Sequence, residues 1–221
     1  RYVASVRLFG RWMKREGIAQ VDPTLKLRAA RVDETLPQTL TVDQARSLFN
    51  YLRQQTEGGD PCAIRDWAMV EVMYSCGIRV AELTGLNLSH LNAAERTLRV
   101  LGKGDKERRV YFDAKAKLHL QNYLNSRSDG NPALFVTLDA PHDRLKISGV
   151  EVRLRTLGRC VNLTKIHPHK FRRTMATRAI DKGMPIEQVQ KILGHSQIDT
   201  TMKYAMVNQT NVKTSHQKFI A

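Results

Sequence analysis

The segment that most constrains the fold is PCAIRDWAMVEVMYS, residues 61–75, which is apolar around most of a helical circumference. A helix on a protein surface keeps one polar side, whereas a helix that is apolar nearly all round lies in the centre of a domain. The sequence therefore predicts a helical domain built around this segment. The side chains that make it apolar are Trp67, Met69, Val70, Val72 and Met73.

Further helices are predicted from capping signals and helical periodicity. The pattern TVDQ at residues 41–44 is a capping box, which begins a helix that runs to about Gln55. A short helix is expected over residues 79–84, where Gly85 stops it. The remaining predicted helices lie at about 114–126, 148–160, 168–182, 185–193, 199–206 and 211–219.

A β-hairpin is predicted over residues 96–112, RTLRVLGKGDKERRVYF, where two β-type runs flank the loop GKGDKE. Residues 131–137, NPALFVT, fit either a short strand or an apolar loop. The predicted fold class is therefore mainly α with a small antiparallel β-sheet, an α+β arrangement.

The N-terminal residues indicate a separate structural unit. Tyr2–Glu16 is amphipathic at the helical period, and Gly17 follows it as a C-cap. Residues 23–33 are basic and show little periodicity, so a linker and a domain boundary are expected there. Because the chain opens at Arg1 without a Met, in mid-helix by pattern, we expect it to be a fragment of a longer protein.

The charge balance points to a polyanionic partner. Lysine and arginine together number 36 against 21 acidic residues, which gives a net charge of +15 and a pI near 10.1. Nucleic acid is the usual partner of so basic a chain, because each neutralised phosphate releases counterions. A ribosome-like structural protein and a protein of anionic membrane surfaces are the alternatives, although no long apolar run or lipidation motif supports the second.

The three cysteines, Cys62, Cys76 and Cys160, are widely spaced and form no CxxC pair. This pattern predicts reduced core thiols of a cytosolic protein rather than zinc ligands or disulfides. The sequence also shows no signal peptide, and a cytoplasmic, nucleoid-associated location is expected.

Two basic side chains are candidates for phosphate chemistry in the first half of the chain. Arg79, in CGIR, begins a short helix directly after the apolar helix, where a guanidinium could hold a phosphate by two hydrogen bonds. A plain ion pair with Glu82 is the alternative. Lys103, in GKG, lies on the hairpin loop and could donate a proton to a leaving alkoxide; a solvated basic turn is the alternative.

The stretch HPHKFRRT combines a histidine and an arginine at a predicted helix start. Pro168 suits the first turn, and His169 and Arg172 then share one face near the positive end of the helix. This combination is an anion site with an acid–base group attached. The alternative is a basic DNA-facing helix whose phosphate contacts would be Lys170, Arg172, Arg173 and Arg178.

The stretch LGHSQIDTTMKYA, residues 193–205, contains a histidine and a tyrosine nine residues apart. Gly194 is expected to end one helix, His195 to lie in the turn and Asp199 to cap the next helix, with Tyr204 in its second turn. A packing role for the tyrosine is one alternative. A DNA-binding helix-turn-helix formed by the whole region is another.

These groups are complementary for phosphodiester cleavage, which needs an in-line nucleophile, positive charge at the non-bridging oxygens and a proton for the leaving oxygen. Two arginines, two histidines, one lysine and one tyrosine supply each part without a metal. The carboxylate clusters of two-metal nucleases are absent by pattern, which favours a nucleophile from the protein and no cofactor.

The set, in this order and with these flanks, resembles the catalytic domain of the tyrosine recombinases, in the style of Xer-type recombinases and phage or mobile-element integrases. The matching motifs are CGIRVAEL, LGKGDKERRV, HKFR, LGH and the tyrosine nine residues beyond that histidine. The resemblance covers residues 36–206. It implies four parts: residues 1–27, the last helix of a truncated core-binding domain plus the start of a linker; the linker, 28–40; the catalytic domain, 41–206; and 207–221, a candidate segment for docking on a neighbouring protomer.

The resemblance implies a role for each matched residue around the phosphate. Arg79 and Arg172 would clamp the scissile phosphate, and Glu82 would support the first of them. Lys103 would protonate the leaving 5′-hydroxyl. His195 would hydrogen-bond a non-bridging oxygen.

The resemblance also implies that Tyr204 attacks the phosphate to give a 3′-phosphotyrosine, with His169 as its acid–base partner. Because the phosphotyrosine conserves the bond energy, the family needs no ATP or metal, and a second strand's 5′-hydroxyl reverses the step. Arg173 departs from the family pattern, since many Xer-like members have histidine there.

The implied partner is a duplex DNA recombination site, bound by a homotetramer in a synaptic complex, and an accessory DNA-bending protein is a further candidate. Two alternatives stay open: a type IB topoisomerase that relaxes DNA as a monomer, and a non-catalytic helix-turn-helix protein. The predicted DNA contacts are Lys26, Arg28, Arg31, Lys106, Lys170 and Arg173.

Overall fold

The computed structural model describes residues 2–28, 38–102, 107–195 and 197–205. The chain forms two compact units, Arg1–Thr35 and Leu36–Ala221. The division falls inside the predicted linker at residues 28–40, and the identities of the four predicted segments stay predictions.

The first unit contains helix α1, Tyr2–Arg15, close to the predicted span. After the helix the chain turns back on itself, and Asp22 accepts hydrogen bonds from the backbone N–H and the hydroxyl of Thr24 at 2.8 and 2.6 Å. Both residues lie so near Gly10 that a Cβ there would meet their atoms at 2.5–2.6 Å. A side chain at this helix position would therefore push the returning segment away.

The second unit is mainly helical with one small sheet. Its helices are α2 Val42–Glu57, α3 Pro61–Cys76, α4 Val80–Thr84, α5 Ala114–Asn125, α6 Ile147–Cys160, α7 Pro168–Asp181, α8 Ile186–Leu193 and α9 Asp199–Ala205. A single 3₁₀ turn, Leu88–His90, precedes the strands β1 Leu91–Asn92, β2 Thr97–Leu101 and β3 Glu107–Tyr111.

Helix α3 is the centre of this unit, as the sequence predicts, because α2, α5 and α7 all pack against it. Val70 and Val72 on α3 are fully buried, and each such side chain contributes about 1.5–3 kcal/mol of transfer free energy. Asp60 caps the helix by accepting from the backbone N–H of Cys62 at 2.9 Å. Gly77 ends it in the left-handed region at φ 61.

The predicted hairpin is confirmed: β2 and β3 pair antiparallel, with Leu98 opposite Val110. A third strand, β1, joins the sheet in the order β1-β2-β3, and its two residues are too few to give an alternating pattern in the sequence. Residues 131–137 form a buried apolar loop with two isolated bridges, Asn87 to Ala133 and Val136 to Arg144.

The capping box at residues 41–44 and the predicted helices between residues 114 and 206 are confirmed by α2 and α5–α9. The predicted helix at 211–219 lies outside the described residues. Among the helices that the structure describes, none is long and apolar enough to cross a membrane. The three cysteines are free, but Cys160 is exposed at the end of α6, so its prediction as a core thiol is wrong.

Candidate active site

A small apolar cluster fixes the turn that follows α8. Met175 of α7 packs with Val189 and Leu193 of α8, and the ring of Tyr204 on α9 packs against the same cluster. Helix α8 then ends at Gly194, which is left-handed at φ 63. Glycine takes this conformation without the steric cost of a Cβ.

Three arginines from different parts of the fold donate to the last carbonyls of α8. The final carbonyls of a helix have no partner within the helix, and the negative end of the helix dipole favours cations. The C-terminus of α8 therefore gathers three guanidinium groups around one turn. The pairs are Arg108 Nε to the Ile192 oxygen at 3.1 Å, Arg172 Nη2 to the Leu193 oxygen at 2.6 Å, and Arg79 Nη2 to the Gly194 oxygen at 3.2 Å.

Arg172 is the most enclosed of the three, with only 4% of its surface exposed. Its Nη1 donates to the carbonyl of Gly77 at 2.7 Å, so one guanidinium ties the end of α3 to the end of α8. Burial, with the positive charge of Arg79, lowers the pKa of Arg172 to about 10. Arg172 therefore remains a cation at neutral pH.

Glu82, on α4, is the carboxylate that balances this array. Its Oε1 accepts from Arg79 Nη1 at 3.0 Å and its Oε2 from the Arg79 backbone N–H at 2.8 Å. Arg108 adds a bidentate pair, with Nη1 to Oε1 at 2.7 Å and Nη2 to Oε2 at 2.9 Å. Burial opposes ionisation, but the hydrogen bonds from Arg108 and Arg79 outweigh it and hold the pKa of Glu82 below its usual value.

The ion pair between Arg79 and Glu82, weighed above as an alternative to a phosphate role, is therefore present. The pair does not enclose the Arg79 side chain, which remains 38% exposed and accessible to a ligand. Glu82 pairs with two guanidinium groups and lies within the electrostatic reach of a third, that of Arg172, so the cluster keeps an excess of positive charge.

His195 lies in the turn after Gly194, as predicted, and its ring has two neighbours on α9. Its Nδ1 is 2.9 Å from the hydroxyl of Thr201, a fully buried side chain. The ring also stacks against that of Tyr204, with centroids 6.2 Å apart and planes inclined by 27°. The turn thus brings together the two residues that the sequence singled out.

The protonation state of His195 follows from its surroundings. Burial lowers its pKa to about 4, and the charges of Arg172, Arg79 and Arg108 act in the same direction. The imidazole is therefore neutral at physiological pH. A neutral ring that accepts from Thr201 at Nδ1 carries its proton on Nε2, where it can donate to an anion.

His169 lies in the first turn of α7 and is exposed. Partial burial of its ring lowers its pKa, and the nearby charges of Arg173, Arg172 and Arg79 lower it further. His169 is therefore within the electrostatic reach of the same arginine cluster. Lys103, the predicted proton donor, lies outside the described residues.

The predicted DNA contacts divide into three groups. Lys26 and Arg28 are exposed and Arg173 is half-buried, and all three stay predictions. Lys170 is buried, and burial lowers its pKa; its role as a DNA contact also stays a prediction. The remaining two, Arg31 and Lys106, lie outside the described residues.

Two residues at the site were missed from the sequence, Arg108 and Thr201. Arg108 carried a usable signal: strand side chains alternate, so it shares a face with Val110, which is fully buried. A charged side chain on the inner face of a strand needs a partner of opposite charge. Nothing in the sequence marks Thr201, since its partner depends on the turn geometry.

The arrangement suits a phosphodiester. Positively charged donors surround one turn, a neutral histidine can add a hydrogen bond, and a tyrosine hydroxyl lies on the next helix. The charge of Tyr204 acts to raise the pKa of Arg172, so the tyrosine and the cation are electrostatically coupled. Such a site can stabilise the charge that develops as a phosphate is attacked.

Comparison with known proteins points the same way. Residues 38–211 match the model of the phage integrase family. The chain is 35% identical over 226 residues to the tyrosine recombinase XerC of Mycobacterium sp. strain KMS, covering 99% of this chain and 74% of that protein. It is 34% identical over 220 residues to the tyrosine recombinase XerC of Leptospira interrogans, covering 99% and 70%.

Solved structures show the same fold. The crystal structure of XerA recombinase matches 99% of this chain and 74% of that chain, with a TM-score of 0.70 and 27% identity. The Tn1549 transposon integrase, in complex with circular intermediate DNA, matches 96% of this chain and 76% of that one, with a TM-score of 0.78 and 19% identity. The chain therefore belongs to the phage integrase family of tyrosine recombinases. It is a DNA breaking–rejoining enzyme, a site-specific recombinase similar to XerC.

Proposed function

We propose that this recombinase cuts and rejoins DNA through a covalent 3′-phosphotyrosine at Tyr204, without a metal or ATP. The tyrosine oxygen attacks the phosphorus and gives its proton to His169. The bond from phosphorus to the 5′ oxygen breaks, and Lys103 supplies that oxygen with a proton. The 5′-hydroxyl of another strand then attacks the phosphotyrosine and releases the enzyme, so the number of phosphodiester bonds is conserved.

The phosphate is held by the arginine cluster. Arg79 and Arg172 donate to its non-bridging oxygens, and the neutral His195 adds a hydrogen bond from Nε2. Charged donors fixed before the reaction stabilise the transition state without reorganising. Glu82 keeps Arg79 oriented, as its hydrogen bonds to that residue's side chain and backbone suggest.

One observation carries this proposal: the turn between α8 and α9 brings the three arginines, His195 and Tyr204 together. Its carbonyls receive the three arginines, its histidine stacks on the tyrosine, and α9 holds the tyrosine beside the cluster. A tyrosine used only for packing would not need an array of cations at its side.

The test is a covalent adduct. The protein is incubated with a pool of short duplexes that have a randomised centre and nicks at staggered positions, so that the released 5′-hydroxyl fragment diffuses away. An SDS-resistant adduct that Tyr204→Phe abolishes supports the proposal, and its DNA sequence identifies the site. Absence of any adduct across the pool refutes it. Tyr111→Phe, at an exposed tyrosine on β3, is the matched control and should form the adduct normally.

The same material separates the alternatives. Relaxation of supercoiled plasmid lacking the selected site would indicate a topoisomerase, whereas sequence-specific binding without an adduct would indicate a helix-turn-helix regulator. Full cleavage is expected in the presence of EDTA and in the absence of ATP. A requirement for a metal ion or for ATP would overturn that part of the proposal.

The proposed partner is duplex DNA, and two related structures support it: that of the XerH recombinase is bound to a palindromic difH substrate, and that of the Tn1549 integrase is in complex with circular intermediate DNA. We propose that the protein acts in the cytoplasm on nucleoid DNA and forms a homotetramer in the synaptic complex. Residues 207–221 would dock on a neighbouring protomer, and an accessory DNA-bending protein is a further proposed partner. Cross-linking of the protein with and without the selected duplex tests the tetramer.

A further inference from the structure

Arg108 makes full use of its guanidinium inside the protein. Nη1 and Nη2 each hold one oxygen of Glu82, and Nε holds the carbonyl of Ile192. Its side chain is only 16% exposed, against 38% for Arg79. All three of its guanidinium nitrogens are thus engaged within the protein.

Arg108 also lies in close contact with Gly194, the glycine that ends α8. A Cβ on Gly194 would lie 3.1 Å from the Arg108 guanidinium carbon, so the left-handed glycine leaves room for this side chain. Arg108 thereby contacts two structures that the reaction needs: the carboxylate that orients Arg79, and the turn that carries His195. Its bidentate pair with Glu82 gives a fixed orientation that a lysine could not reproduce.

We infer that Arg108 is a positioning residue of the recombinase, which holds Glu82 and the end of α8 so that Arg79 and His195 meet the scissile phosphate in register. This inference rests on the proposed function. It assigns Arg108 no contact with DNA; it acts through Glu82 and the Ile192 carbonyl.

Loss of Arg108 has two expected effects. Without Arg108, Glu82 pairs with Arg79 alone. This stronger ion pair weakens the interaction of Arg79 with a phosphate. The Ile192 carbonyl loses its donor, so the turn that carries His195 loosens. A displacement of about 1 Å can slow an enzymatic step about 10²-fold without much effect on binding.

The experiment measures single-turnover adduct formation and DNA dissociation constants on the duplex selected above. Arg108→Gln is expected to slow adduct formation about 10²-fold and leave the dissociation constant nearly unchanged. Arg108→Lys should recover only part of the rate, because lysine offers a point charge and not a fork. Arg109→Gln, the neighbouring exposed arginine on the same strand, removes the same charge and should behave as the unaltered protein.

A double-mutant cycle with Glu82→Gln tests the coupling. If Arg108 acts through Glu82, the combined variant is little slower than the slower single variant. If the rate loss of the combined variant equals the product of the two single losses, the inference is overturned. It is also overturned if Arg108→Gln is no slower than Arg109→Gln, and in both cases the proposed function is unaffected. A weaker DNA affinity in Arg108→Gln that Arg108→Lys restores fully also overturns it, since that would mark a phosphate contact.

Failure of the proposed function looks different, because the unaltered protein would then form no adduct, and the inference would fall with it. Thermal unfolding of each variant accompanies the kinetics. If Arg108→Gln does not fold, the rate of adduct formation by Arg108→Lys is the test. Full activity of a folded Arg108→Lys variant contradicts the inference.

Discussion

The ring of Tyr204 stacks against the ring of His195, with 6.2 Å between centroids, and the same imidazole lies 2.9 Å from the hydroxyl of Thr201. Helix α9 therefore contacts His195 from two positions, one turn apart. The proposed nucleophile lies on this short helix and the proposed phosphate ligand packs against it, so changes on α9 are expected to affect both.

Thr201→Val removes the buried hydroxyl and keeps the shape of the side chain. A hydroxyl that donates to Nδ1 keeps the imidazole proton on Nε2, and the valine variant loses that constraint. We expect single-turnover cleavage to slow about tenfold, the equivalent of one hydrogen bond of about 1.4 kcal/mol. Thr201→Ser should keep most of the rate. Thr200→Val, at an exposed neighbour, is the control, and equal rates for the two valine variants would contradict the prediction.

Arg172→Ala removes a cation that joins the end of α3 to the end of α8 and that we propose as a phosphate ligand. Cleavage should be lost while most DNA binding remains, and gel shifts with adduct assays measure the two. The carbonyls of Gly77 and Leu193 lose their donor, at about 1–3 kcal/mol for each buried group, which urea unfolding detects. A comparable loss of binding and cleavage would instead make Arg172 a general DNA contact.

Gly194→Ala places a Cβ where φ is 63 and where the Arg108 guanidinium lies 3.1 Å away. The left-handed conformation costs about 1–2 kcal/mol, and displacement of Arg108 adds to it. Gly59→Ala is a matched control, because Gly59 has φ 80 and no atom within 4 Å of its Cβ position. Gly194→Ala should therefore lower the free energy of unfolding more than Gly59→Ala, and it alone should slow cleavage. Equal losses would show that the close approach is unimportant.

Glu71 gives the second unit a dependence on pH that is separate from the site. Burial raises its pKa from 4.5 to about 7, against a hydrogen bond from the Trp67 indole at 3.2 Å. The folded state favours the neutral acid, so this contribution to stability is complete below pH 4.5 and is lost as the pH rises through 7.

Glu71→Gln should remove the loss of stability that accompanies ionisation of Glu71. The free energy of unfolding above pH 7 should therefore rise by on the order of 2 kcal/mol. Urea unfolding below pH 4.5 and above pH 7 measures it. Glu57→Gln, at an exposed position of α2, is the control. A gain of the same size at acid and alkaline pH would show that ionisation of Glu71 is not the cause.

The central helix and the order of the elements could be predicted because their causes are local. An apolar circumference identifies α3, and a Thr with a Gln three residues on begins α2. The spacing of Arg79 and Glu82 likewise predicts their pairing, since residues three apart on a helix are neighbours. These signals need no knowledge of tertiary packing.

The missed features depend on contacts between distant parts of the chain. Arg108 meets Glu82 across 26 positions and Ile192 across 84, and no periodicity reports such a meeting. The burial of Lys170 was not predicted for the same reason, because which side of α7 is buried depends on where α3 lies. The sequence showed which side chains were chemically unusual, and the packing decided how they are held.

The three arginines at the end of α8 are held by main-chain oxygens rather than by side chains of that helix. Any residue that keeps the helix intact presents the same carbonyls, so substitutions at exposed positions such as Glu187, Gln188 and Lys191 leave the array undisturbed. The outer surface of α8 is therefore free to diverge. Relatives could acquire different partners or DNA preferences through it without altering their chemistry.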